Sequence, residues 1–457
     1  MRIGYARLNG RRHETSERSL FGLRDGSHEK DDVMKRWRRL GMFILLIVAG
    51  ISSFAFIGDV PDAEAGGPLL VNDQGVPFVW RRSRIPYTPD RGRLGALTNG
   101  QAINLVAQAL GIWENVTSSR VRFRQEGQLD LDVTERNVLA FLNHIIGQCQ
   151  SGGECTSPII FDTNGRITDA LLGAGASRTV LGFAGPTVFR RDGVYLQARA
   201  VLNGRFPPSD LLGTAVHEFG HYIGLDHTQL NSAAAFDFTS RNDDEVPTMF
   251  PFIVEGTEVL HLDDEVAVSA LYPDFREFRQ RGTISGHILL PDGTGFQGAN
   301  VIARRVDDPR MVAVSSVSGF LHVGTRSGPD FGSDDPELLG FYELPGLPPG
   351  RYTVEIEQIR FDFTGGSGVG PLDPPAELPG PPEFYSGEEE SSTDDPDHRV
   401  EIEIMPGDRV EDVDIILNVH RSISIVRGGF RQGMRKGMSN PQFALSPHHS
   451  SSSLVKR

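Results

Sequence analysis

The sequence predicts an α+β domain built on a twisted sheet over residues 66–278, followed by an all-β sandwich domain over residues 279–422. Three observations predict it. Three histidines and Glu218, within His217 to His227, follow a segment of helical spacing, with strand-like and helix-like segments ahead of it. Beyond residue 281 the apolar period drops to two, and turn residues recur at strand-length intervals. The chain has 457 residues, 39% hydrophobic and 23% charged, which is ordinary globular composition spread over more than one domain.

Residues 1–65 read as an extension and a signal peptide. The apolar run 42–57 follows Lys35-Arg36-Trp37-Arg38-Arg39 and precedes the small-residue site Ala63-Glu64-Ala65. The basic region is long if counted from Met1 and ordinary from Met34, so Met34 is the expected start. A retained signal anchor is the competing reading, because the run is just short of a membrane span. Both readings place the chain outside the cytoplasm, secreted or in the cell envelope, with membrane contact only through an uncleaved segment. Export favours a disulfide between Cys149 and Cys155. So short a loop contributes about 2–3 kcal/mol, enough to pin a loop but not a fold. Residues 66–420 carry 27 Lys/Arg against 51 Asp/Glu, a net charge of −24. That sign argues against nucleic acid as a partner.

In chain order, Trp80 to Tyr87 reads as a first strand and Pro89 to Leu97 as a turn-rich link. From Asn99, residues Ile103, Val106, Ala107, Leu110, Ile112 and Trp113 share one face of a helix. Val121 to Arg124 and Gly193 to Asn203 read as further strands. Between them, Asp162, Asn164 and Asp169 surround Gly165, leaving two readings: a calcium loop, or an Asx-type turn. Pro207-Pro208-Ser209-Asp210 then offers a stop and an N-cap, and Leu212, Val216, Phe219 and Ile223 the buried face of the next helix.

That helix carries the chemistry. It reads H-E-x-x-H-x-x-G-x-x-H, from His217 to His227. Positions i and i+4 lie on one helix face, so His217 and His221 can point at one metal ion. Glu218 sits about 100° further round the helix, which suits a carboxylate that takes a proton from water rather than ligating the metal. Gly224 permits the left-handed turn that ends a helix, and the turned chain can return His227 as a third ligand. Three protein ligands with one open position is the catalytic form of a zinc site.

The motif resembles that of the metzincin zinc peptidases, and later features resemble the matrixin-like branch. Pro247-Thr248-Met249-Phe250-Pro251 matches the methionine turn beneath the zinc, with Phe250 where matrixins carry tyrosine. Leu262 to Pro273 matches the closing helix, and places Asp263 and Asp264 in a first turn favoured by the helix dipole. The resemblance covers about residues 70 to 275. It implies one catalytic zinc on His217, His221 and His227, with Glu218 as general base, Met249 shaping the floor under the metal, and protein or peptide as substrate. It also implies a substrate-aligning edge strand near Gly193 to Asn203. Two departures stand out. Thr228 to Val246 is longer than usual and reads as a surface loop, and no cysteine-switch segment is present.

After residue 279, Thr283 to Leu289, Ala299 to Ala303, Arg351 to Glu357, Val400 to Ile404 and Val413 to Leu417 read as strands. They resemble the carboxypeptidase regulatory-like module, a transthyretin-like sandwich that implies no catalysis. The segment 361–399, rich in Gly, Pro and acids, reads as a disordered insertion, and 423–457 as a disordered basic tail. Besides the endopeptidase, a second function stays open: an exported binding or adhesion protein with an inactive peptidase-like domain. Retention of Glu218 and all three histidines counts against it.

Overall fold

A computed structural model describes residues 67–82, 84–237, 239–322, 332–360 and 376–419. The expected signal segment with Met34, and the basic tail, lie outside the described residues. Those that are described all belong to one compact unit.

A five-stranded mixed sheet organises the first half. Its strands are β1 (Ile85–Pro89), β2 (Phe123–Gln125), β3 (Pro158–Asp162), β4 (Gly182–Arg190) and β5 (Val194–Asn203), in the order β2-β1-β3-β5-β4. All neighbours are parallel except β4 and β5, which run antiparallel and place β4 at an edge. β3 is buried along its whole length, as expected of a strand covered on both faces. Helix α1 (Asn99–Glu114) begins at a reciprocal cap in which Thr98 and Gln101 bond each other's backbone N–H. Its buried face is Ala102, Val106, Ala109, Leu110 and Trp113, whereas Ala107, expected on that face, is exposed.

Helix α2 (Val138–Gln150) ends beside the disulfide between Cys149 and Cys155, whose Cα atoms are 4.5 Å apart. Helix α3 (Arg166–Leu172) follows β3 directly, α4 (Pro208–Ile223) carries the histidine motif, and α5 (Leu262–Leu271) closes this half.

The second half consists of two sheets, one antiparallel throughout and one mixed. One orders β11 (Glu383–Phe384), β10 (Gly350–Gln358), β7 (Ala299–Arg305) and β8 (Ala313–Val317), with β12 (Ile402–Ile404) also on β10. The other gathers β9 (Phe341–Leu347), β13 (Arg409–Val410) and β14 (Ile415–Ile416) around β6 (Gly282–Leu289). Residues of both sheets, among them Ile284, Ile288, Val301, Tyr342, Leu344, Tyr352, Val354 and Ile404, share one buried cluster. Along β10, Tyr352, Val354 and Ile356 are buried while Thr353 and Glu355 are not, which is the period-two pattern of a half-covered strand.

Part of the expected insertion is ordered. Residues 361–375 lie outside the description, but β11 pairs with β10, and buried Glu383 accepts from the backbone N–H and side-chain amide of Asn418. Ser386 Oγ bonds Glu390 and Asp394, and Glu390 also accepts from Ile416 N. Glu383, Glu390 and Asp394 are thus acceptors for backbone and side-chain donors. Helix α5 joins the two halves: Ala267, Val268 and Leu271 belong to the first core, and Val266 to the second.

Candidate metal centre

Helix α4 is fixed on every side before its histidines are considered. Leu211, Ala215, Val216, Phe219, Tyr222 and Ile223 are fully buried in the first core. It starts with Pro208 at its first position and no side-chain cap, so the expected Ser209 or Asp210 cap lies inside the first turn instead. Three of its backbone carbonyls are claimed from outside. Trp113 Nε1 donates to Val216 O at 2.9 Å, Trp80 Nε1 to Tyr222 O at 3.2 Å, and Tyr272 Oη to Ile223 O at 2.6 Å. The Tyr222 hydroxyl reaches the carbonyl of Pro86 at 2.9 Å.

The helix ends at Gly224 with φ 103°. A Cβ there would meet the Tyr195 ring at 2.6 Å, so glycine is required for both the left-handed turn and the close approach. After the turn, Leu69 N donates to Gly224 O and Asp226 N to Gly67 O. This short pairing brings the next residue, His227, back over the helix.

His217, His221 and His227 are all buried, and one ring nitrogen of each lies within 4.8 Å of the other two. His221 Nε2 is 3.0 Å from His227 Nε2, which is 3.3 Å from His217 Nε2. Each of the first two rings faces a carbonyl with its other nitrogen: His217 Nδ1 with Thr248 O at 2.7 Å, and His221 Nδ1 with Leu225 O at 2.9 Å. A carbonyl only accepts, so both Nδ1 atoms carry the proton and both Nε2 atoms present lone pairs. A proton on His227 Nε2 could serve only one of them. A cation at the centre satisfies all three, and ligands about 2.0–2.1 Å from a tetrahedral zinc sit about 3.3 Å from one another. The donor set fits such an ion. Burial lowers the pKa to about 4 for His217 and about 3 for His221, and well below the usual value for His227. All three are therefore neutral at physiological pH, as ligation requires.

Glu218 points to the edge strand. It is buried, and its pKa rises to about 8 through burial, opposed by the backbone N–H of Ala184 on β4. Its Oε2 has no hydrogen-bond partner among the described residues. A Cβ on Gly182 would fall 2.9 Å from Glu218 Cγ, so β4 carries glycine where the carboxylate passes.

Beneath the helix, Met249 packs against Gly220, where a Cβ would lie 2.2 Å from the methionine sulfur. Asp264 builds this floor. Its Oδ2 accepts from the backbone N–H of Thr248 at 3.0 Å and of His261 at 2.8 Å, and its Oδ1 from that of Met249 at 2.9 Å. Thr248 in turn offers its carbonyl to His217. Helix α5 thus orients a metal-site imidazole through one carboxylate and one peptide unit. Asp263 points the other way: its Oδ1 accepts from Ser315 N of β8 at 2.7 Å, and burial raises its pKa to about 7. Both aspartates lie in the first turn of α5, as expected, and both are buried linkers.

The acidic residues of the candidate calcium loop do not converge on an ion. Asp162 accepts from Gly165 N, Thr168 N and Thr168 Oγ1. Asn164 Oδ1 accepts from Arg166 N, and Asp169 Oδ1 from the N–H groups of Gly175 and Ser177. These bonds are those of an Asx-type turn at the start of α3. Sequence reasoning missed Gly182, Gly220 and the bonding of Asp264. The two glycines have no local signal, since each is required by a distant side chain. No family model matches the chain, and no curated protein is significantly similar to it.

Proposed function

We propose that the chain is an exported zinc-dependent endopeptidase of the metzincin type, with residues 66–278 as catalytic domain and 279–422 as a β-sandwich. The observation that supports it most is the convergence of three neutral imidazoles, two held by carbonyls in the tautomer that ligation needs, beside a buried carboxylate whose Oε2 has no hydrogen-bond partner among the described residues. His217, His221 and His227 would hold zinc through Nε2, and the ion supplies Lewis acidity and one open coordination position.

Glu218 accepts a proton from the attacking water at Oε2 and returns it to the leaving amine. Burial raises the pKa of its carboxylate to about 8, and a dication held by the three histidines would oppose that shift. Strand β4 ends the five-stranded sheet next to Glu218, where an extended peptide could align by strand addition. That favours hydrolysis within a polypeptide over hydrolysis of a small molecule.

The test is cleavage of casein or gelatin by the purified chain with and without a zinc chelator. Cleavage that disappears with chelator and returns with added zinc is the expected result. Equal signals in both lanes, or none in either, favours the binding protein instead.

A further inference from the structure

The stretch after His227 was expected to be a surface loop shaping the substrate cleft. Its first part is instead buried. Thr228, Gln229, Leu230 and Asn231 are each no more than 1% exposed, and what covers them is the second half of the chain.

Leu230 packs with Ile302 of β7 and Ala313 of β8. Thr228 Oγ1 lies 3.0 Å from Ser315 Oγ of β8, and the Gln229 side chain accepts from the backbone N–H of Arg360 at 3.1 Å. Asn231 adopts φ 57°, a left-handed conformation costly for any residue but glycine. Its carboxamide donates to the carbonyls of Glu245 and Arg310, and accepts from Arg304 Nη1 at 2.7 Å. Arg304 is itself 7% exposed, and its Nε is fixed by Glu355 of the neighbouring strand at 2.5 Å. Thr228 N also donates to Met249 O, so the braced segment touches the methionine turn as well as His227.

We infer that the second half is a positioning element of the metal centre rather than an independent appendage: Ser315, Arg304 and Asn231 hold the segment that fixes His227. His227 needs such help. His217 and His221 are rigid by virtue of a buried helix and a carbonyl on each Nδ1, whereas His227 Nδ1 has no hydrogen-bond partner among the described residues. Its placement rests on the backbone either side. The inference rests on the zinc reading of the site.

Two variants of the full chain test it. Asn231→Gly keeps the left-handed backbone available while deleting the carboxamide's bonds, and Ser315→Ala removes the hydroxyl that lies next to Thr228 and also donates to Asp263. Arg351→Ala, which breaks an exposed pair with Glu401 elsewhere in the same sheet, is the control. Zinc affinity is read by chelator competition, and melting temperature is read with and without zinc. Loss of a group that orients a ligand typically weakens metal binding about 10–100-fold. Asn231→Gly should fall in that range, Ser315→Ala should lose a few-fold, and the control should not change. The melting gap between zinc-loaded and metal-free protein should narrow in the first two, because that gap tracks affinity.

Equal loss of stability in both forms, with unchanged zinc affinity, would overturn the inference and mark these contacts as merely structural. Failure of the unaltered chain to bind zinc would overturn the zinc reading itself, and appears in a different sample. If Asn231→Gly does not fold, Ser315→Ala with the control decides.

Discussion

Replacing Glu218 with alanine should lower kcat/KM for peptide cleavage by about 10²–10⁴-fold while leaving zinc bound, the range that general base catalysis contributes. The same variant should fold as well as the parent or better. Its carboxylate is buried, and Oε2 has no hydrogen-bond partner among the described residues. Burying such a group costs free energy that alanine would relieve. Loss of activity with stability kept or gained separates a catalytic group from a structural one. Kinetics, zinc content and a thermal melt on one preparation check all three parts. Persistent cleavage would remove Glu218 from the mechanism, and a large loss of stability would make it a structural residue.

Asp264→Ala should have the largest effect on stability. One fully buried carboxylate accepts from three backbone N–H groups, those of Thr248, Met249 and His261. Orphaning a buried donor costs about 1–3 kcal/mol, so a loss of at least about 3 kcal/mol is expected. The effect should reach the metal, because freeing Thr248 frees the carbonyl that orients His217. Zinc affinity should fall together with stability. Asp264→Asn, which keeps one acceptor oxygen and the side-chain volume, should lie between the alanine variant and the parent. Denaturant unfolding and chelator competition measure the two quantities. Alanine behaving like the parent in both would contradict the relay from α5 to His217.

What could be read in the sequence follows the range of the interaction that determines each feature. The three histidines and Gly224 were legible because a helix and its left-handed end fix their geometry within eleven residues. Strand β10 showed its period in Tyr352, Val354 and Ile356. Helix α2 went unread although Val138, Leu142, Ile145 and Cys149 are spaced for burial, because no cap marks its start: Asn137 makes no side-chain cap bond.

Gly220 could not be interpreted without Met249, nor Gly182 without Glu218, because each needs a partner distant in sequence. The acids at 383, 390 and 394 look like solvated charge until their donors, Asn418, Ile416 and Ser386, are folded next to them. Asp162 is the converse. Its composition suits an ion, but its oxygens bond the turn's own N–H groups. Charge patterning reports what a side chain could bind, and only packing decides which candidate reaches it.

The most direct test is the zinc content of the purified, dialysed chain, with His221→Ala measured beside it. One zinc per chain, lost on removing a single imidazole, is the expected result. A folded parent protein that holds no metal, or a variant that keeps its full complement, would contradict the metal centre and the peptidase reading built on it.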